Sequence, residues 1–235
     1  MVAVRLVGLA GSLRHGSYNR QLLDVVASEL PADAELTVWN GLARIPGFNE
    51  DLEAIRTPAA VAELCRALAD ADGLVVATPE YNHAMPGVLK NALDWASRPP
   101  GASPLAGMPA AVIGASLSAY GAAWGQQQTR AVLTAIGARV VDGEVAVPRA
   151  NHAFDDQGRL VDAQLRQRLV ETLDELLAAA RPGGPWLSLS LDRSVVLDGG
   201  RMVQAGPSAR VSTSPRGATT GKLVDAAPAF ACGES

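Results

Sequence analysis

The chain has 235 residues, of which 48% are hydrophobic and 19% charged, enough apolar material for a packed core and too much for wholesale disorder. At roughly 150 residues per domain the length gives about 1.6 domains, so one sizeable domain with an attachment or two small ones. Twenty basic against twenty-four acidic residues leave a net charge of −4, without the basic excess of a nucleic-acid binder.

Cys65 and Cys232 make neither a disulfide framework nor a metal-ligand cluster. Cys65 falls in a helical, apolar-spaced stretch, as a core residue would. The opening MVAVRLVGLAG lacks a cleavable signal layout, and no stretch reaches the roughly 18 apolar residues of a membrane span. The expectation is a cytoplasmic protein without membrane contacts.

Residues 2–9 read as a strand, followed by a polar loop over 11–19 and a helix over 20–30 with Leu22, Leu23, Val26 and Leu30 on one face. Residues 35–39 form a second strand. A helix spans 57–70, with Thr57 as its cap and Pro58 in its first turn. The continuously apolar run 73–78 (GLVVAT) predicts a strand covered on both faces. Helix 88–95, buried strand 110–115, helix 122–136 ended by Gly137, a broken strand over 139–147 and a closing helix over 161–180 follow. Five strands alternating with helices predict an α/β parallel sheet with helices on both faces.

Residues 183–235 differ in character. Leu187, Leu189 and Leu191 alternate with serines as in a strand, and residues 194–197 and 201–204 flank Asp198-Gly199-Gly200, a hairpin signal. Two domains follow: 1–182, and an extension over 183–235 with a hairpin at about 186–204 and a disordered Ser/Thr/Pro/Gly tail. The segment 217–223 (GATTGKL) echoes a phosphate loop but has one residue too few between its glycines. Residues 192–211 look like a hairpin of transporter ATPases, yet no nucleotide loop precedes them, so ATP hydrolysis is not expected.

Two segments carry chemistry. The first is the loop after strand one, Gly11-Ser12-Leu13-Arg14-His15-Gly16-Ser17-Tyr18-Asn19. It leaves the sheet where ligands bind in doubly wound folds and enters a helix whose free amides attract anions. Ser12, Ser17 and Asn19 can donate hydrogen bonds, and Arg14 can fork onto phosphate. Neither GxGxxG spacing nor a phosphate-loop lysine is present, which suits a terminal monophosphate. A polar turn with an ordinary cap is the plainer reading of this loop. His15 either approaches the anion or faces solvent.

The second segment runs from Thr78 to Trp95 and leaves the central strand at the same edge. Pro79 and Pro86 stiffen it, and Tyr81 and Asn82 with nearby amides can frame a flat heterocycle. Glu80 serves either as a general acid or as a structural or cofactor contact. Lys90 and Asp94 form an i,i+4 helix-surface pair.

Read together, G-S-x-R-x-x-S-x-N over residues 11–19 and P-E-Y-N-x-x-x-P-G-x-L-K-N-x-x-D-W over 79–95 resemble the NADPH-dependent FMN reductase family. That family has a flavodoxin-like fold, a three-layer sandwich around a five-stranded parallel sheet. It includes bacterial quinone, chromate and azo-dye reductases, and the resemblance covers residues 3–180. It implies that Ser12, Arg14, Ser17 and Asn19 hold an FMN phosphate. Pro79, Glu80, Tyr81 and Asn82 would border the isoalloxazine ring, and Ser116 would touch the flavin or ribityl edge.

The resemblance further implies hydride transfer from NADPH or NADH to FMN and on to a quinone or other aromatic acceptor. No side chain need be a nucleophile. Alternatives within reach are a flavin reductase that supplies reduced FMN to a monooxygenase and a non-catalytic electron carrier. A homodimer or homotetramer is implied, with the tail at an interface.

Departures from the family pattern follow the fourth strand. Ser118 and Ala122 replace glycines, narrowing the backbone's approach to the ring, and Trp124 stands where arginine is common. His83, Tyr120 and Trp124 are candidates for substrate contact, against the plainer readings of an exposed loop histidine and of aromatic packing. Trp39 likewise lines an entrance or packs in the interior.

Overall fold

The computed structural model describes residues 3–181, 193–198 and 201–207. The chain divides into two units at the Arg181–Pro182 junction, and each is described by itself.

The first unit is a parallel sheet between two helical layers. Strands β1 (Val4–Ala10), β2 (Ala34–Trp39), β3 (Gly73–Ala77) and β4 (Pro109–Ala115) lie in the order β2-β1-β3-β4. The fifth position is split. β5 (Arg139–Val140) pairs with the start of β4 and β6 (Val145–Val147) with its end, so the expected broken strand is two short ones. Arg130 spans the break, donating to the carbonyl oxygens of Val141 and Gly143. Burial pushes its guanidinium pKa down, against the opposing pull of Glu144, Asp142 and Glu175.

Alternation along the strands builds two cores. Leu74 and Val76 of β3 face α3 (Ala59–Ala69), α4 (Gly87–Ala96) and Leu133 of α5 (Ala123–Ile136). Val75 and Ala77 face α1 (Tyr18–Glu29) and α6 (Ala163–Ala180). β3 and β4 are buried along their whole length, which is why their sequences run apolar without alternation.

The order places β1 between β2 and β3, so the chain reverses its direction of travel across the sheet at β1. Right-handed crossovers in opposite directions put α1 and α3 on opposite faces. A crevice therefore opens beyond the carboxyl ends of β1 and β3.

Several local expectations change. Pro58, not Thr57, occupies the N-cap of α3, and no side chain caps that helix. A short helix, α2 (Glu50–Ile55), follows β2 where the sequence reading had no element. Its N-cap Asn49 accepts from the Asp51 amide, yet none of its residues is buried, so it lacks the apolar periodicity that reveals a helix. The closing helix starts at Ala163, because the Asp162 side chain accepts from the amides of Gln164 and Leu165. Cys65 is buried in the core, and Lys90 and Asp94 pair at 2.6 Å.

In the second unit, β7 (Arg193–Asp198) and β8 (Arg201–Pro207) form an antiparallel hairpin with a register shift between Val196 and Leu197. The expected strand over 187–191 and the expected tail lie outside the described residues.

Candidate active site

Three loops meet at the carboxyl edge of the sheet, after β1, β3 and β4. Between them lies a cleft of about 380 Å³, in the range of small-molecule sites. Its lining includes Ser12, Arg14, Ser17, Asn19, Tyr81 and Ser116, and also Pro79 and Glu80. The structure thus gathers eight of the nine expected cofactor residues around one concavity. The ninth, Asn82, stands at the tip of the adjacent turn.

The β1–α1 loop is shaped by its own hydrogen bonds. Ser17 is the N-cap of α1, its hydroxyl accepting from the Arg20 amide at 3.2 Å. The amides of Tyr18 and Asn19, in the first helical turn, have no intrahelical acceptor and stay available to an anion. The Arg14 guanidinium donates to the Gly16 carbonyl and sits 5.2 Å from the centre of the Tyr18 ring. Tyr18 stacks in turn near Phe154, at 6.2 Å between ring centres.

Asn19 is 3% exposed and clamps the loop to the sheet. Its Nδ2 donates to the Ala115 carbonyl and its Oδ1 accepts from the Ala115 amide, both at 2.9 Å. This side chain is committed to the end of β4, so its part in the cleft is to fix α1 against the sheet.

The β3–α4 loop turns tightly. Tyr81 and Ala84 exchange backbone hydrogen bonds, and Asn82 and His83 between them both have positive φ, at 53° and 61°. Two such residues define the primed hairpin turn, which asparagine and histidine tolerate better than most side chains. Helix α5 then braces the loop. The Glu80 carboxylate, only 10% exposed, accepts from the amides of Trp124 at 3.0 Å and Gly125 at 3.3 Å. Gln128 accepts from the Met85 amide at 2.8 Å.

Glu80 therefore caps α5, whose own N-cap residue, Ala122, supplies no side-chain bond. Gly125 is needed for this approach, since a Cβ there would lie 2.8 Å from the Pro79 carbonyl oxygen. Glu80 Oε2 thus faces the N-terminus of α5, while Oε1 lies 3.6 Å from His83 Nδ1.

After β4, the Ser116 hydroxyl accepts from the Ser118 amide and lies 3.2 Å from the Ser118 hydroxyl. Ala122 is fully buried at φ 64°, so here alanine in a glycine position strains the backbone. Trp124 packs edge-on against His83 at 4.7 Å and against Tyr120 at 4.8 Å. His83, Trp124 and Tyr120 are all exposed, so the three form an aromatic rim beside the Glu80 loop.

Sequence reasoning missed Tyr18, Leu117 and Gln128. Tyr18 was legible as an aromatic neighbour of Arg14, whereas Gln128 acts through a contact across 43 residues that no local pattern encodes.

A model of the family described as NADPH-dependent FMN reductase matches residues 4–152. The chain belongs to this family. It is 40% identical over 174 residues to the NAD(P)H-dependent FMN reductase PA1204 of Pseudomonas aeruginosa, covering 74% of this chain and 93% of that one. It is 36% identical over 181 residues to a 2-hydroxy-1,4-benzoquinone reductase of a Burkholderia species, with coverages of 77% and 98%. The structure of FerB, a flavoenzyme NAD(P)H:(acceptor) oxidoreductase from Paracoccus denitrificans, matches with a TM-score of 0.68 at 30% identity, covering 74% of this chain and 98% of that one.

FMN with NAD(P)H as electron donor accompanies membership of this oxidoreductase family. The donor set of the cleft fits that cofactor. First-turn amides and a guanidinium suit a monophosphate, and the braced 79–82 loop offers a flat polar wall to a heterocycle. The flavodoxin-like fold is likewise that of the matched enzymes.

Proposed function

We propose that this protein is an NAD(P)H-dependent FMN oxidoreductase that passes electrons to a quinone or another small aromatic acceptor. The observation that carries this reading is the cleft at the reversal point of the sheet. An anion-binding loop forms one wall, and a rigid loop whose only acid is turned into a helix forms the other. Bound FMN supplies a two-electron centre that takes up hydride and releases it to the acceptor.

The residues of the chain supply position and electrostatics. Ser12, Arg14, Ser17 and the first-turn amides of α1 hold the phosphate, and Asn19 keeps α1 in place against Ala115. Pro79, Glu80, Tyr81 and Asn82 would border the flavin ring, and Ser116 would hold the flavin or ribityl edge. Amides of the 79–82 loop would favour negative charge on a ring held beside them. His83, Tyr120 and Trp124 receive the acceptor at the rim, where their exposed edges match a flat aromatic molecule.

Among the described residues no helix is long and apolar enough to cross a membrane. Cytoplasmic location and a homodimer or homotetramer complete the reading. Residues 183–235 form an extension that contributes to the subunit interface through its hairpin.

The test is the absorbance spectrum of the purified protein, followed by anaerobic addition of NADPH. Flavin bands that bleach, and recover on adding a quinone, are the expected result. Bands that stay oxidised would leave an electron carrier, and failure to take up FMN on reconstitution would remove the reading altogether. Release of reduced FMN on a desalting column would turn it into a flavin-supplying reductase.

A further inference from the structure

Reducing a quinone to a hydroquinone adds two electrons and two protons. Hydride addition, supplied by the oxidoreductase activity, delivers both electrons and one hydrogen and leaves the hydroquinone monoanion. The second oxygen then needs a proton, and a group that holds one at the mouth of the cleft lowers the barrier to this step.

The β3–α4 loop presents such a group. Glu80 lines the cleft, and its two carboxylate oxygens have separate partners. Oε2 accepts from the amides of Trp124 and Gly125, while Oε1 lies 3.6 Å from Nδ1 of His83. The Trp124 ring meets the imidazole edge-on, with 4.7 Å between ring centres. Carboxylate and indole both hold the imidazole, and both are fixed at the N-terminal end of α5. Nδ1 is turned to the acid, so Nε2 of this side chain, which is 74% exposed, is open to an acceptor and to solvent. The phenol of Tyr120, whose ring lies 4.8 Å from that of Trp124, is a further titratable group on this rim.

The backbone points the same way. His83 has φ 61° as the second central residue of the primed turn, a position that glycine fills without strain. A β-carbon there costs stability, so the fold of the turn gains nothing from the imidazole. The geometry points to His83 as the general acid of the acceptor step, with Glu80 as its positioning residue. The His83 imidazolium gives its Nε2 proton to the monoanion oxygen. The neutral ring keeps its hydrogen on Nδ1, toward Glu80, and takes a proton back from water at Nε2. This rests on the reductase reading above, and it deepens that reading by naming a catalytic residue.

The test is anaerobic stopped-flow mixing of the photochemically reduced, FMN-loaded protein with a naphthoquinone or with ferricyanide, which takes electrons without a proton. The variants are H83Q and H83G, the second of which suits the backbone of the turn and leaves space for free imidazole. Both are expected to slow the quinone reaction about a hundredfold, the scale of a lost general acid, and to slow the ferricyanide reaction at least about tenfold less. Added imidazole restores the quinone rate of H83G and does not change its ferricyanide rate. In 15N spectra of the FMN-loaded and FMN-free protein, the neutral ring of His83 is expected as the Nδ1–H tautomer.

Equal slowing with the two acceptors, no restoration by imidazole, or a neutral ring in the Nε2–H tautomer overturns the assignment. Photoreduction lets the acceptor step be read without the nicotinamide donor. A wild type that reduces the quinone in this way but takes no electrons from NADPH would instead overturn the reductase reading.

Discussion

Glu80 Oε2 accepts a hydrogen bond from the Trp124 amide at 3.0 Å, so a residue of the β3–α4 loop caps a helix that begins 43 positions later. The β3–α4 loop, one wall of the cleft, is thereby locked to α5, and the carboxylate faces the positive end of the helix it caps. E80A is expected to lower stability by about 1–2 kcal/mol in urea unfolding, as loss of a helix cap does. E80Q, which keeps an acceptor oxygen, should lose less than half as much. Equal losses in the two variants would show that the cap is not the source of the effect.

Asn19 makes a comparable link between the anion loop and β4. N19A leaves a buried amide and a buried carbonyl of Ala115 without partners, at a cost of about 2–4 kcal/mol. FMN should also dissociate faster, since α1 loses its anchor. A melting temperature within a degree of wild type would exclude this role.

Trp124 touches His83 on one side and Tyr120 on the other. W124A removes the middle of the rim and should raise the KM for a naphthoquinone acceptor about three- to tenfold, the scale of one or two aromatic contacts. Steady-state kinetics at saturating donor measures it. An unchanged KM would place acceptor binding elsewhere.

Asp155 accepts hydrogen bonds from the Arg159 amide and side chain and from the Gln157 amide. These bonds, the Arg159 amide foremost, hold its carboxyl below the ordinary range. The unfolded chain then binds the proton more readily, so the stabilisation is full above the ordinary carboxylate pKa. It is lost as pH falls through the lowered folded value. D155N should therefore melt below wild type at neutral pH, and the gap should close in acid. A gap independent of pH would mean that the charge plays no part.

Much of this architecture was legible locally. The apolar runs of β3 and β4 announce strands buried on both faces, and Gly137 marks the end of α5 with φ 102°. α2 was not legible, because a helix with no buried residue carries no apolar stripe. Among site residues, Ser12, Arg14 and Ser17 stand in one short loop, so their proximity is fixed by covalent spacing. Asn19 belongs to the same motif, yet its partner, Ala115, lies 96 positions away.

The sequence by itself determined the alternation of strands and helices, the polar loop after β1 and the 79–95 segment after β3, because periodicity and turn chemistry act over a few residues. Tertiary structure alone decided that Glu80 caps α5, that Asn19 grips β4 and that Trp124 packs edge-on against His83. Each of these is a meeting of segments brought together by strand order. The physical reason is that hydrogen bonds and aromatic contacts between distant segments depend on how the sheet stacks them, and no local pattern records that.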